Sequence, residues 1–376
     1  MNHSLGPTYE QLLGSHWVLW YKTSNRYSIV DENFKALLDA YLQSESINTF
    51  RSNLDIANAD TIADRIQYYL EQCHTQDIDQ TVSATLSFKP VIPSFSIHYE
   101  CFGQRFQINF DSELVKKTIH PSIAHLEVNT TKKPNVVFDV YLDQDQLCLF
   151  KNKTLLRSAP KKDYHLIQGK FVMELLSLIH QKEESDWVGT FHGSTISDGT
   201  HALLLMGESG KGKSTLSALL VAHGFELVAD DVSPLLSKDL HIYSNPSAIS
   251  LKEGAFEVLN PLVRSFEEIP ETLFNKSKGP LKYLVPNPLL KGSYSCKALI
   301  MVNYAKGKPT KLEPLSIKTP LETLIPESWL SPKPKHARQF LDWLAQLKIY
   351  ELTYSDTASV VKEISTLFKT LPNAQD

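Results

Sequence analysis

Residues 207–215 read Gly207-Glu208-Ser209-Gly210-Lys211-Gly212-Lys213-Ser214-Thr215. The spacing fits G-x-x-x-x-G-K-[ST], with Gly207, Gly212, Lys213 and Ser214 at the fixed positions. Glycines let a backbone curl until successive N–H groups point at phosphate oxygens, and a helix starting there adds a favourable dipole. Lys213 would bring a compact charge to the β- and γ-phosphates, and the Ser214 hydroxyl could ligate Mg²⁺. The pattern therefore predicts a site for a nucleoside triphosphate, ATP or GTP.

Two further groups stand at suggestive distances. Asp230 and Asp231 follow the strand pattern Phe225-Glu226-Leu227-Val228-Ala229, with Asp230 seventeen residues after Lys213 and room for one helix between. Ligands of open α/β sheets sit beyond the carboxyl ends of the strands. One carboxylate there can hold Mg²⁺, and a second can serve as general base toward an incoming hydroxyl. His192 lies fifteen positions before Gly207, and a strand, a turn and a second strand would bring it back to the triphosphate end. Lys252, Arg264, Lys278 and Lys282 are candidate phosphate contacts, because phosphoryl transfer needs positive charge on the γ-phosphate.

The elements that must position these groups follow from the hydrophobic pattern. Ala202–Met206 is a short apolar run of buried-strand type, and residues 214–223 place Leu216, Leu219 and Leu220 on one helical face before Gly224, a helix-terminating glycine.

Taken together, His192-Gly193, Gly207–Ser214 and Leu227-Val228-Ala229-Asp230-Asp231 resemble the catalytic domain of HPr kinase/phosphorylase and its relatives, which are similar in fold to phosphoenolpyruvate carboxykinases. The resemblance is specific over about forty residues. It implies an α/β fold with a P-loop kinase core of that type, Asp230 as catalytic base, Asp231 as the metal-side carboxylate, Lys213 and Ser214 on phosphate and Mg²⁺, and His192 beside Asp230 and the γ-phosphate. Thr215 replaces the Glu that commonly follows the loop Ser. Counterparts of the downstream signature segment and of the basic loop used for phosphorolysis are not found, which points away from HPr itself and from the reverse reaction. Residues 246–252 (Pro-Ser-Ala-Ile-Ser-Leu-Lys) resemble HPr-kinase-related proteins that accompany peptide-modification genes.

Residues 1–80 predict a hairpin, with strands at 17–21 and 26–29 around a Ser24-Asn25 turn, then helices, the first capped by Asp31. This order, with Asn25–Asp31, resembles PqqD-like domains, small winged-helix modules that recognise precursor peptides. The resemblance implies a winged-helix-like α+β module at the N-terminus. Residues 84–185 carry alternating strands at 91–110 and 135–150, a turn at 143–146 and a helix at 171–181, and are expected to extend the core sheet. The catalytic core is expected over 186–310. A proline-rich stretch then leads to helical patterns at 337–347 and 358–371, read as a C-terminal helical layer over 311–376.

A hydrophobic content of 42% and a charged content of 21% fit a chain that buries a sizeable core. The net charge of −4, with no basic stripe, argues against a nucleic-acid partner. No apolar run approaches membrane-spanning length, and the four scattered cysteines read as free thiols of a reducing compartment, so a cytoplasmic protein is expected. Relatives of the resembled family are hexameric, which leaves a homo-oligomer as an option that no residue pattern tests. The leading expectation is an ATP- and Mg²⁺-dependent kinase of Ser/Thr hydroxyls on a peptide or protein. The alternatives are a kinase of a small-molecule hydroxyl, such as free serine or a sugar, and a non-catalytic nucleotide-gated binding protein.

Overall fold

The loop strand Ala202–Met206 is buried along its whole length, and its side chains alternate between two cores. Leu203 and Leu205 point into a cluster with Leu216, Leu219 and Leu220 of the loop helix (Lys213–Ala222) and Val360, Ile364 and Leu367 of the last helix (Thr357–Thr370). Ala202, Leu204 and Met206 point the other way, toward Phe340, Leu341 and Leu344 of the helix Pro334–Gln346. Cover on both faces is why this strand reads as an unbroken apolar run. The structure, a computed structural model, describes residues 2–54, 58–76, 88–89, 92–273, 279–288 and 291–371.

The central sheet of the mixed α/β architecture has ten strands. On one side of Ala202–Met206 lie Ser194–Ser197 and then Glu226–Ala229, both antiparallel pairings. On its other side the long strand Ser293–Tyr304 runs parallel to it. That strand forks the sheet. Its start pairs with His241–Tyr243, which leads through Val232–Leu236 to Trp187–His192 and Trp329–Leu330. Its end pairs in parallel with Lys348–Tyr354, which carries Lys311–Pro314 at the edge. Three parallel strands thus end side by side at the glycine-rich loop Gly207–Thr215.

The C-terminal region is therefore not only a helical layer. Its helices occur at Pro334–Gln346 and Thr357–Thr370, but Lys348–Tyr354 between them belongs to the central sheet. The expected extension of that sheet by residues 84–185 is also corrected. Phe95–Cys101, Gln104–Phe110, Val136–Asp143, Gln146–Lys151 and Thr154–Pro160 form a five-stranded sheet of their own. One face of it is closed by the helix Tyr164–His180 through Ile167, Phe171, Leu175 and Ile179. Alternation along these strands located them but could not say which sheet they would join.

At the N-terminus three antiparallel strands, Tyr9–Leu13, His16–Tyr21 and Arg26–Asp31, precede helices Glu32–Gln43, Ile47–Leu54 and Ala59–His74. The first strand was not foreseen from the pattern. Asp31 caps the first helix as expected, accepting a 2.7 Å hydrogen bond from the Phe34 N–H. The sheet is shared between two cores. Leu19 and Tyr21 pack on the module's own helices, whereas Leu13 and Val18 join the cluster containing Phe191 and Phe340. Asn25 locks the junction, accepting from Trp20 Nε1 and donating to the Leu330 carbonyl at 2.8 Å.

Candidate active site

The glycine-rich loop Gly207–Thr215 is built where three strands end. Gly207, Gly210 and Gly212 have φ of 140°, 87° and 89°, conformations that other residues adopt only with strain. Two of them also permit close approach. A Cβ on Gly207 would lie 2.8 Å from the Val302 carbonyl oxygen, and one on Gly212 would lie 2.7 Å from the Tyr354 hydroxyl. The loop helix begins at Lys213 and ends with Gly224 at φ 93°, where Phe225 N–H donates to Leu220 O and Gly224 N–H to Val221 O. That double bond satisfies the last carbonyls of the helix.

The carboxylates and His192 come together through a crossover of two chain segments. Residues 187–197 and 226–236 run antiparallel past each other, with Val232 opposite His192 and Ala229 opposite Thr195. Gly193 sits at the crossing, where a Cβ would come within 2.6 Å of the Leu205 carbonyl oxygen. Asp231 is at the opposite side of the crossing. Its φ is 65°, and Val232 N–H donates to Asp230 O across it at 2.8 Å, a tight three-residue turn. Strained turns of this kind recur where a side chain must be aimed.

The turn sends the two adjacent carboxylates to different places. Asp230 is 3% exposed, and its carboxylate accepts from the Ser194 hydroxyl and lies 3.4 Å from the Ser214 hydroxyl through either oxygen. Burial pushes its pKa up to about 6, Asp231 adds to the rise, and hydrogen bonds from Ser194, the Ser250 backbone and Ser214 oppose it. Asp231 is largely exposed, and its Oδ1 lies 3.2 Å from His192 Nδ1. His192 is thereby oriented through one ring nitrogen, leaving Nε2 for another partner.

Lys213 folds back over its own loop. Its ammonium donates to the Gly207 carbonyl and, at 3.3 Å, to that of Glu208. Burial holds its pKa below the usual range, against the carboxylates of Glu327, Asp231 and Asp230, while Lys252 adds to the fall. Lys252 is exposed at the end of the strand Ile249–Lys252, so its charge reaches the loop lysine. Lys282 is placed otherwise. It is buried, donates to the carbonyls of Phe266 and Glu267, and lies over the rings of Phe256 and Phe266, a packing role that uses its donors. Arg264 is exposed next to the turn at Ser265, and Lys278 lies outside the described residues.

The donor set fits Mg²⁺ in the way such sites use it. Mg²⁺ in phosphoryl-transfer sites takes one or two protein ligands and fills the rest with phosphate oxygens and water. The Asp230 carboxylate and Ser214 hydroxyl, 3.4 Å apart, would supply that pair, and among the described residues no cluster of three or more His, Cys, Asp or Glu side chains forms an all-protein metal site.

Ser194, Ser250 and Glu327 were not anticipated. Ser194 and Ser250 hold Asp230 from two sides, yet serines within strand patterns carry no signal of their own. Glu327 lies in the turn before the strand Trp329–Leu330 and acts on the site through its charge, which is felt by Lys213. All four cysteines are free and buried, and no helix among the described residues is long and apolar enough to cross a membrane. A cavity of about 410 Å³ lined by Leu114, Val115, Leu142 and Leu147 lies in the five-stranded unit, apart from this site.

No family model matches the chain, and no curated protein matches it. Among solved structures, the Hpr(Ser) kinase/phosphatase from Coxiella burnetii is similar, at 15% identity over 48% of this chain and 93% of that one, with a TM-score of 0.22. A likeness that distant carries no argument about chemistry.

Proposed function

We propose that the chain is an ATP- and Mg²⁺-dependent kinase that transfers the γ-phosphoryl group to a hydroxyl of a peptide or protein Ser/Thr. One observation carries the reading: beside a phosphate-binding loop, two adjacent carboxylates are split, Asp230 toward Ser214 and Asp231 toward His192. A nucleotide switch needs one metal carboxylate, whereas a transferase also needs a proton acceptor on the substrate side.

The division of labour proposed is the reverse of the one the family resemblance implies. Asp230 with Ser214 would hold Mg²⁺, which when bound neutralises charge on the β- and γ-phosphate oxygens. Lys213, released from its carbonyls, turns to the same phosphates. His192, oriented by Asp231, takes the acceptor proton on Nε2 as the acceptor oxygen bonds to the γ-phosphorus and the bond to the β-phosphate oxygen breaks, leaving the nucleoside diphosphate. A carboxylate as enclosed as Asp230 suits a metal ligand better than a base that must meet a bulky acceptor.

The test uses γ-labelled ATP, Mg²⁺ and candidate peptides, with the label located by mass spectrometry. Slow hydrolysis with no labelled acceptor would instead indicate a nucleotide-gated binding protein. Asp230→Asn should weaken Mg²⁺-dependent nucleotide binding as well as transfer. Intact Mg·ATP affinity with transfer abolished would return the base role to Asp230.

One observation favours a small-molecule acceptor. The N-terminal sheet, read by resemblance as a peptide-recognition module, is built into the core: Tyr27 packs edge-on against Phe340 at 5.4 Å, and Phe340 packs on Phe191, the neighbour of His192. A structural cap would look like this. Removing residues 1–80 would strip the Leu13 and Val18 contacts from the core, so the readings are better separated by surface substitutions at exposed positions such as Tyr68, which should affect only a peptide acceptor.

A further inference from the structure

The phosphate-binding loop has two flanks, and the metal and base chemistry occupies only one. Asp230 follows the strand two places to one side of the loop strand, beyond Ser194–Ser197. On the other side the parallel strands Ser293–Tyr304 and Lys348–Tyr354 end with a tyrosine each, in register opposite one another. Ligands of α/β sheets lie across such carboxyl ends, so a nucleotide whose γ-phosphate meets Asp230 must carry its base toward the opposite flank.

We propose that Tyr304, backed by Tyr354, is the stacking platform for the nucleobase. The inference rests on the nucleotide-binding reading above and adds the purine ring to its triphosphate. Three observations meet at this point. The backbone of Tyr304 is tied to the loop, its N–H donating to the Lys211 carbonyl at 3.1 Å. Its Cβ would lie 3.1 Å from a Cβ on Gly212, so the ring begins at the edge of the loop itself. Tyr354 is buried behind it, donates its hydroxyl proton to the Gly212 carbonyl at 3.2 Å, and meets the Tyr304 ring edge-on at 5.4 Å. Tyr304 remains 44% exposed although Tyr354, its partner in the pairing, is buried. A single exposed aromatic is ordinary on any surface. An exposed aromatic held to the loop by its backbone and to a buried ring by its side chain is a rigid shelf, and stacking on such a shelf needs little ordering on binding.

The next residues suit the ligand's charge. Ala305–Lys308 forms a turn closed by a hydrogen bond from Lys308 N–H to the Ala305 carbonyl, presenting Lys306 and Lys308 exposed beside the shelf. Stacking recognises a π-face rather than a hydrogen-bonding edge, so the platform accepts adenine and guanine alike. The ATP-or-GTP choice is left to groups that read the edge.

The experiment compares ATP with inorganic tripolyphosphate, each with Mg²⁺, by calorimetry on the full chain. Tyr304→Ala should weaken ATP binding about tenfold or more, the scale of one base stacked on one aromatic ring, and leave tripolyphosphate affinity unchanged. Tyr304→Phe should bind ATP as the parent does, because the ring and not the hydroxyl is used. Unchanged ATP affinity in Tyr304→Ala, or an equal loss for both ligands, overturns the platform. A parent protein that binds neither ligand overturns the nucleotide reading itself, and the platform with it. Circular dichroism of Tyr304→Ala identifies any loss caused by unfolding, in which case Tyr304→Leu, which keeps bulk but not the π-face, must show the same selective loss.

Discussion

The five-stranded unit and the region of the central sheet around the glycine-rich loop both bury charge, but they treat it in opposite ways. On the helix Tyr164–His180, Glu174 is bound by Lys151 at 2.8 Å and by Lys170 at 2.9 Å. Burial alone would raise its pKa, yet the two ammonium groups outweigh burial and hold it below the ordinary carboxylate range. In the core, Asp230 and Lys213 have no ion pair among the described residues and meet hydroxyls and carbonyls instead. Burial wins there, pushing Asp230 up to about 6 and Lys213 down. A buried charge that finds its partner within the chain belongs to the fold. One that is left with neutral hydrogen-bond partners is poised for a partner brought by a ligand, and such sites are where function concentrates.

This contrast can be broken by experiment. The largest effect expected is on turnover: Asp230→Asn should lower phosphoryl transfer by about 10²–10³-fold, the usual cost of removing one preorganised electrostatic group, whereas Glu174→Gln should leave turnover within a few-fold. Equal losses in a steady-state assay would erase the distinction.

Stability should show the reverse. Glu174→Gln leaves two ammonium groups without their carboxylate and should cost about 3 kcal/mol in urea denaturation at pH 7. Because the folded pKa of Glu174 is depressed, its contribution is present above the unfolded value near 4.5 and fades as pH falls through the folded one, so the difference should shrink at pH 3.

Asp230→Asn should instead stabilise. The folded pKa of Asp230 is raised from about 3.8 to about 6, so stability is lost as pH rises across that interval and stays lost above it. At about 1.4 kcal/mol per pKa unit, less a hydrogen bond that the amide disturbs, the gain should be about 2 kcal/mol at pH 8 and near zero at pH 4. No pH dependence of this gain would mean that Asp230 is not held ionised against burial.

The smallest effect sharpens the other side. Asp31→Ala removes the side-chain cap of the first helix and should cost about 1 kcal/mol, with turnover unchanged, because the N-terminal module meets the core through its sheet and not through that helix end.

Much of this site could be read in the sequence, because its signals are local. The loop needs glycine at Gly207 and Gly212 for backbone reasons, and a buried strand and an amphipathic helix flank it within a few residues. The same locality placed the Asp31 cap and the turn after Asp143. Separating the roles of Asp230 and Asp231 was beyond it. Two identical residues side by side differ only through the left-handed turn at Asp231, which buries one against Ser194 and Ser214 and exposes the other to His192. Lys282 misled for a related reason: a lysine pattern does not say whether carbonyls already occupy its donors.

The sequence by itself determined that a glycine-rich loop with the spacing of a phosphate-binding loop exists, where its strand and helix lie, and that carboxylates and a histidine stand within reach of it in the chain. Those are properties of short spacing and backbone permission. Tertiary structure decided which carboxylate faces the loop serine, that residues 95–160 form a separate sheet, and that Tyr304 and Tyr354 arrive beside Gly212 from more than ninety residues away. Strand pairing sets those meetings, and pairing partners are chosen by packing across the whole chain rather than by any segment's own pattern.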